Sequence, residues 1–264
     1  MSENESAAVT YGNYLRIDDL LGLQKSRSDE HDEILFIVIH QVYELWFKEM
    51  LHELDRVMRL LRDDDAVRAQ HTLKRILTIL KVMVAQVDIL ETMTPLEFLT
   101  FRNRLEAASG FQSDQFRQLE FVMGRKTHGA IERFPEGSRA RAALVERWHA
   151  PTLWDAFLQY LKREGYAVPD AQLNRDVTLP IAPSTEVQDL LVDMYRSDPT
   201  NVELCERLVD LDEGVQEWRY RHVKMVERTI GTKPGTGGSA GAGYLRTTLG
   251  QNAFPDLWAI RAKL

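Results

Sequence analysis

From residue 204 to residue 225 apolar side chains recur in steps of four and three: Leu204, Leu208, Leu211, Val215, Trp218 and Met225. That spacing is the stripe of a long helix with one buried face. His222 holds the one place in the series where an apolar residue is due. Two readings stay open for it: a core histidine bonded to a backbone carbonyl, or a single axial ligand to a metal cofactor held against the helix. A glycine-dense loop follows at 231–243, with Thr236 and Ser239 among its hydroxyls. Glycines let backbone approach a ligand closely.

The same period recurs upstream. Leu73, Ile76, Leu77, Leu80, Val84, Val87 and Leu90 give a clean stripe to a helix predicted over 66–92, capped by Asp65. A helix predicted over 29–61, capped by Ser28 or Asp29, is apolar on more than one side and must be enclosed. Thr94-Pro95-Leu96-Glu97 writes a helix start with cap, N1 proline and capping-box glutamate in order. Further helices are predicted from Ser113 or Asp114 to Met123, over 138–148, 152–164 and 185–196, from Asp198-Pro199 to near Ile230, and over 254–264. No stretch alternates as a strand does, and no internal repeat is visible. The chain reads as all-α: a large bundle of long antiparallel helices with a smaller helical excursion in the middle.

Its organisation follows. Residues 1–10 are polar and read as disordered, and residues 1–27 form an arm whose Tyr11, Tyr14 and Leu15 suit docking on a neighbouring subunit. Residues 28–124 and 184–264 make the core, and 125–183 the excursion. A net charge of −7 removes any electrostatic footprint for nucleic acid. The longest apolar run, 34–39, is far short of the roughly 20 residues that cross a membrane. The acidic N-terminus has no signal-peptide pattern, and a single cysteine, Cys205, allows neither a disulfide framework nor a zinc–thiolate site in one chain. These features point to the cytoplasm, with no membrane and no nucleic acid as partner.

Several constellations could carry chemistry. Phe36, His40, Tyr43 and Phe47 share one helical stripe, placing a second imidazole among aromatic rings. Arg102 sits among Phe98, Leu99, Phe101 and Leu105, either snorkelling to water or aimed at a buried anion. Glu49-x-x-His52 and Glu146-x-x-His149 match the unit that di-iron carboxylate bundles use. They lack two further inward carboxylates and fit a solvated face equally well. The glycine loop follows a helix rather than a strand, which removes the dinucleotide fingerprint.

At these residues the sequence resembles the bacterial tryptophan 2,3-dioxygenases. The resemblance runs over nearly the whole chain, in the blocks YGNYL at 11–15, FIVIHQVYELWFKEML at 36–51, TMTPLEFLTFR at 92–102, SGFQSDQFRQLE at 109–120 and RYRHVKMVERTIGTKPGTGGSAGAGYLR at 219–246. It implies haem b, one per subunit, with His222 as the axial iron ligand and O2 as co-substrate. It implies L-tryptophan as substrate, with His40 facing the indole nitrogen as the catalytic histidine. Phe36, Phe98 and the segment Ile37, Val38 and Ile39 belong to the substrate side, Arg102 binds the substrate carboxylate, and Thr236 contacts its amino and carboxyl end. Some relatives carry Tyr where this chain has Phe98, so a hydroxyl contact is missing here. Ser109, Gly110 and Arg117 are placed beside the haem. Tyr11, Tyr14 and Leu15 resemble an arm that reaches into a neighbouring site of a homotetramer. The implied reaction inserts both oxygen atoms across the indole C2–C3 bond to give N-formyl-L-kynurenine.

Overall fold

The structure, a computed structural model, describes residues 8–106, 108–236 and 241–264. The disorder expected over 1–10 therefore lies, but for residues 8–10, outside the described chain. Thr10 and Asn13 form a capping box that opens helix α1 (Tyr11–Leu15), and Arg16, at φ 54°, turns the chain into α2 (Ile17–Leu21). Neither helix buries a residue against its own chain.

The long helix α3 (His31–Arg62) starts two residues later than the sequence suggested, and neither Ser28 nor Asp29 caps it. Glu33 organises this start from inside the helix. Its buried carboxylate accepts hydrogen bonds from the Arg27 and Ser28 amides, both 2.8 Å, and from the Ser28 hydroxyl. Those contacts hold its pKa below the usual carboxylate range despite burial, which pushes the other way. Asp65 caps α4 (Ala66–Leu90) by accepting from the Arg68 amide, and Thr94 with Glu97 closes the expected box at α5 (Pro95–Arg102). Ser113 caps α6 (Asp114–Val122). The polar connector holds a short α7 (His128–Glu132), followed by α8 (Arg139–His149), α9 (Leu153–Arg163) and α10 (Asp170–Leu173). Then come α11 (Thr185–Ser197) and α12 (Pro199–Ile230), which begins on the Asp198 cap with Pro199 at its first turn. After the glycine loop, α13 (Ala242–Arg246) and α14 (Pro255–Ala259) complete an all-α fold, with no strand among the described residues.

Three long helices form the frame. The Tyr43 hydroxyl donates to the Met83 carbonyl, and Arg75 pairs with Glu53, so α3 runs antiparallel to α4. Gln70 reaches Thr200 and Arg221 reaches Asp88, so α4 and α12 run parallel, a departure from the antiparallel bundle expected. The hundred-odd residues between them permit this, since parallel neighbours need a long crossover. They pack tightly at Gly214, where a Cβ would stand 3.1 Å from Leu80 Cδ1. Leu54, Leu61, Leu73, Ile76, Leu208 and Leu211 fill the space between the three and are fully buried.

The excursion expected over 125–183 divides. Ala130, Ile131, Phe134 and Leu144 gather with Phe121 in a small core of their own. The strongly one-sided α9 instead drives Trp154, Phe157, Leu158 and Leu161 into the main core. At the other end Asp212, buried on α12, accepts hydrogen bonds from the Ala253 amide (2.8 Å), the Phe254 amide (3.4 Å) and Trp258 Nε1 (2.9 Å), tying the C-terminal segment to the frame. Gly214→Val should lower stability by roughly 1–3 kcal/mol through overpacking against Leu80. Chemical denaturation checks it, and an additional Leu80→Ala should return part of the loss.

Candidate active site

Between α3 and α12 the frame leaves a cavity of about 240 Å³. Phe36, His40, Tyr43 and Phe47 line it from α3, and Trp218, Arg219 and His222 from α12. Phe98 and Arg102 close one side from α5, Phe116 and Arg117 another from α6, and the segment 108–111 runs along the edge. Gly235, Thr236 and Tyr244 come over the top from the glycine loop and α13. The spacing of four and three that marked both long helices is what turns these residues to one side.

Both imidazoles are deprived of water by the rings around them. His40 lies 4.1 Å from the Phe36 ring centroid, and its Nδ1 is 2.7 Å from the Phe36 carbonyl. A carbonyl can only accept, so Nδ1 carries the proton and Nε2 keeps a bare lone pair. Burial lowers the His40 pKa, against smaller opposing effects of that carbonyl and of Glu44. His222 stacks in parallel on Trp218, centroids 5.3 Å apart at 5°. Trp218 is itself packed against Tyr43, Phe47 and Phe116, which fixes its plane. Burial, then the proximity of His40, Arg219 and Arg117, pulls the His222 pKa down to about 4. Near neutral pH the cavity therefore presents two uncharged imidazoles, the form in which this side chain binds metals.

Besides Glu44, charged side chains reach the cavity in two places. Arg102 donates from Nη2 to the Pro234 carbonyl at 2.6 Å, while its Nε is buried without a partner. Thr236 donates to the Ala108 carbonyl at 2.6 Å, so the glycine loop is tied down at two points. The second place is a carboxylate shared by two guanidiniums. Glu120 pairs with Arg117 at 2.6 Å and with Arg219, and all three side chains are buried to about nine-tenths.

Among the residues expected to act, the structure brings Phe36, His40, Phe98, Arg102, Ser109, Gly110, Arg117, His222 and Thr236 to this one cavity. Ile37, Val38 and Ile39 do not line it. Successive helical residues turn by about 100°, so with Phe36 and His40 inward, Val38 faces out at 38 % exposure and Ile39 enters the main core. Tyr11, Tyr14 and Leu15 stand away from their own chain's cavity, exposed on α1. His52, Glu146 and His149, three members of the two Glu-x-x-His units, are exposed, and no metal-binding group of three such residues occurs among the described residues. Arg219, Glu120 and Phe116 went unnoticed in the sequence. The block SGFQSDQFRQLE held two of them, but nothing in a local pattern signals that α6 and α12 meet there.

A family model described as tryptophan 2,3-dioxygenase matches residues 1–142 and 174–264. The chain belongs to the tryptophan 2,3-dioxygenase family. Relatives carrying that name include one from Herpetosiphon aurantiacus, 59 % identical over 98 % of this chain and 100 % of its own length. One from an Anaeromyxobacter species is 57 % identical over 98 % of this chain and 97 % of its own. One from Caulobacter vibrioides is 46 % identical over 97 % and 98 %. The tryptophan 2,3-dioxygenase match passes over 143–173, the stretch of α9 and α10, which contributes nothing to the cavity wall.

The depressed His222 pKa has a stability consequence for the unliganded protein. Between pH 6.5 and about 4 the unfolded chain protonates this imidazole and the folded chain does not. Stability contributed by this residue is thus intact above 6.5 and falls with pH by on the order of 3 kcal/mol. Denaturation midpoints of His222→Leu should show a flatter pH dependence across that window than the wild type.

Proposed function

We propose that this chain is a haem-dependent dioxygenase that inserts both atoms of O2 across the indole C2–C3 bond of L-tryptophan, giving N-formyl-L-kynurenine, the first step of tryptophan catabolism by the kynurenine pathway. The observation that carries the reading is the pair of neutral imidazoles facing one aromatic cavity from α3 and α12, in a chain of this family.

The cavity suits a haem on its own chemistry. A neutral imidazole on a rigid helix, flat aromatic walls and, at one end, guanidiniums outnumbering carboxylates match an iron, a porphyrin and its carboxylate side groups in turn. His222 would ligate the iron of haem b, with Ser109, Gly110 and Arg117 along its edge. When bound, the group supplies activation of O2, chemistry that no amino-acid side chain provides.

The chain's own share is binding, orientation and exclusion of water. His40 Nε2 accepts the indole N–H and so sets the angle of the ring, while Phe36 and Phe98 form its walls. Removal of the indole proton is not assigned to His40, because the group is a very weak acid and a well-placed acceptor suffices to orient it. Arg102 binds the substrate carboxylate through charge-assisted hydrogen bonds, and Thr236 contacts the same end of the molecule. Arg102 and Thr236 already meet the 108 segment and the glycine loop, which supports closure of that loop over bound substrate. Exposure of Tyr11 (78 %), Tyr14 (76 %) and Leu15 (43 %) supports a homotetramer whose arms complete neighbouring sites. The acidic, disulfide-free chain suits the cytoplasm.

The reduced protein should show an intense Soret band that shifts when L-tryptophan is added; no band after reconstitution with haemin would overturn the reading. Arg102→Leu should lower kcat/KM by on the order of 100- to 1000-fold, chiefly through KM, with haem content unchanged. His222→Ala should lose haem unless imidazole is supplied.

A further inference from the structure

Arg117 and Arg219 share a single carboxylate. Arg117 Nη1 lies 2.6 Å from Glu120 Oε2, Arg219 Nη2 bonds Glu120 Oε1, and neither guanidinium has another protein acceptor among the described residues. Both stack on the Phe116 ring, at 4.9 Å and 5.3 Å, and both have a buried Nε–H without a partner. Both line the cavity. The neighbouring Arg125 and Asp212 are of opposite charge, and Arg133, a further cation, stacks on Phe111 at 5.4 Å and Tyr244 at 5.9 Å. Positive charge is therefore in excess around this carboxylate, in a place where the paired side chains are about nine-tenths buried. A buried guanidinium pair on one carboxylate is a costly arrangement unless a second anion completes it. Both guanidiniums face the cavity, so an anionic group on its occupant would complete the arrangement.

Resting on the haem reading above, we propose that Arg219 is a second anchor for a carboxylate side group of the porphyrin, beside Arg117, and that Glu120 positions both guanidiniums and sets the net charge at that edge. Arg219 stands three residues before His222 on the same helix. One rigid element would thus carry both the iron ligand and a carboxylate anchor. Glu120 touches neither group and acts through the two arginines.

The test uses the haem-loaded protein and two measurements: the rate of haem transfer to excess apomyoglobin, and the ferric/ferrous midpoint potential. Arg219→Gln should release haem about tenfold faster or more, as expected for loss of a charge-assisted hydrogen bond. It should also lower the midpoint potential, because a positive charge that disfavours the ferric state is gone. Glu120→Gln should raise the potential, because a negative charge is gone. Arg219→Lys should keep a potential near the wild type while releasing haem faster, since a point charge remains but the fork geometry does not. Opposite-signed shifts are the signature that mere support of the fold does not produce. If Arg219→Gln and Glu120→Gln move the potential the same way, or Arg219→Gln matches Arg219→Lys in potential, the triad only braces α6 against α12. Should Glu120→Gln fail to fold, the Gln-against-Lys comparison at Arg219 decides alone. Wild-type protein that takes up no haem overturns both this inference and the reading beneath it. Haem uptake with unaltered variants overturns this one only.

Discussion

Desolvation of the gap between α3 and α12 is the condition on which the site depends. Phe36, Phe47, Phe116 and Trp218 crowd His40 and His222, and the carboxylate that acts on His40, Glu44, has a smaller effect than burial does. A charged imidazole is penalised there, so both rings stay neutral and each keeps one nitrogen able to accept or ligate. The arrangement needs the two helices held at a fixed separation. That comes from α4, which packs antiparallel to α3 and parallel to α12, with Gly214 leaving room for Leu80. The apolar core and the polar behaviour of the site are thus one construction.

Charge enters this dry region at the edges and always with a partner in view. Arg102 holds a carbonyl of the glycine loop, a neutral acceptor that an anionic ligand outcompetes. Arg117 and Arg219 share Glu120. The two positive ends sit on different elements, α5 on one side and α6 with α12 on the other. A ligand and a cofactor that both carry carboxylates can therefore be received without competing for one cation.

Much of this was legible in the chain before any folding. The three-and-four stripes of α4 and α12, the Thr94–Glu97 box and the Asp198–Pro199 start are local signals, and each appears where the pattern put it. The start of α3 was misplaced because Ser28 is drawn to Glu33, which holds the Arg27 and Ser28 amides ahead of the helix, and no side chain caps the first-turn amides. The placement of α9 was misjudged because its sequence neighbours are polar, although its own stripe is among the most one-sided in the chain. Ile37, Val38 and Ile39 were grouped with His40 by adjacency, whereas helical rotation sends them to other faces.

By itself the sequence determined the class of fold, the two imidazoles on buried stripes and the arginine on an aromatic face, since each follows from periodicity within one helix. The resemblance of its sequence blocks carried the family. Only the tertiary structure decided that α4 and α12 are parallel, that Arg102 and Thr236 secure the loop, and that Glu120 joins Arg117 to Arg219. The physical reason is sequence distance. Glu120 and Arg219 are ninety-nine residues apart, and no local pattern records which helices will meet or which charge will then be left without a partner.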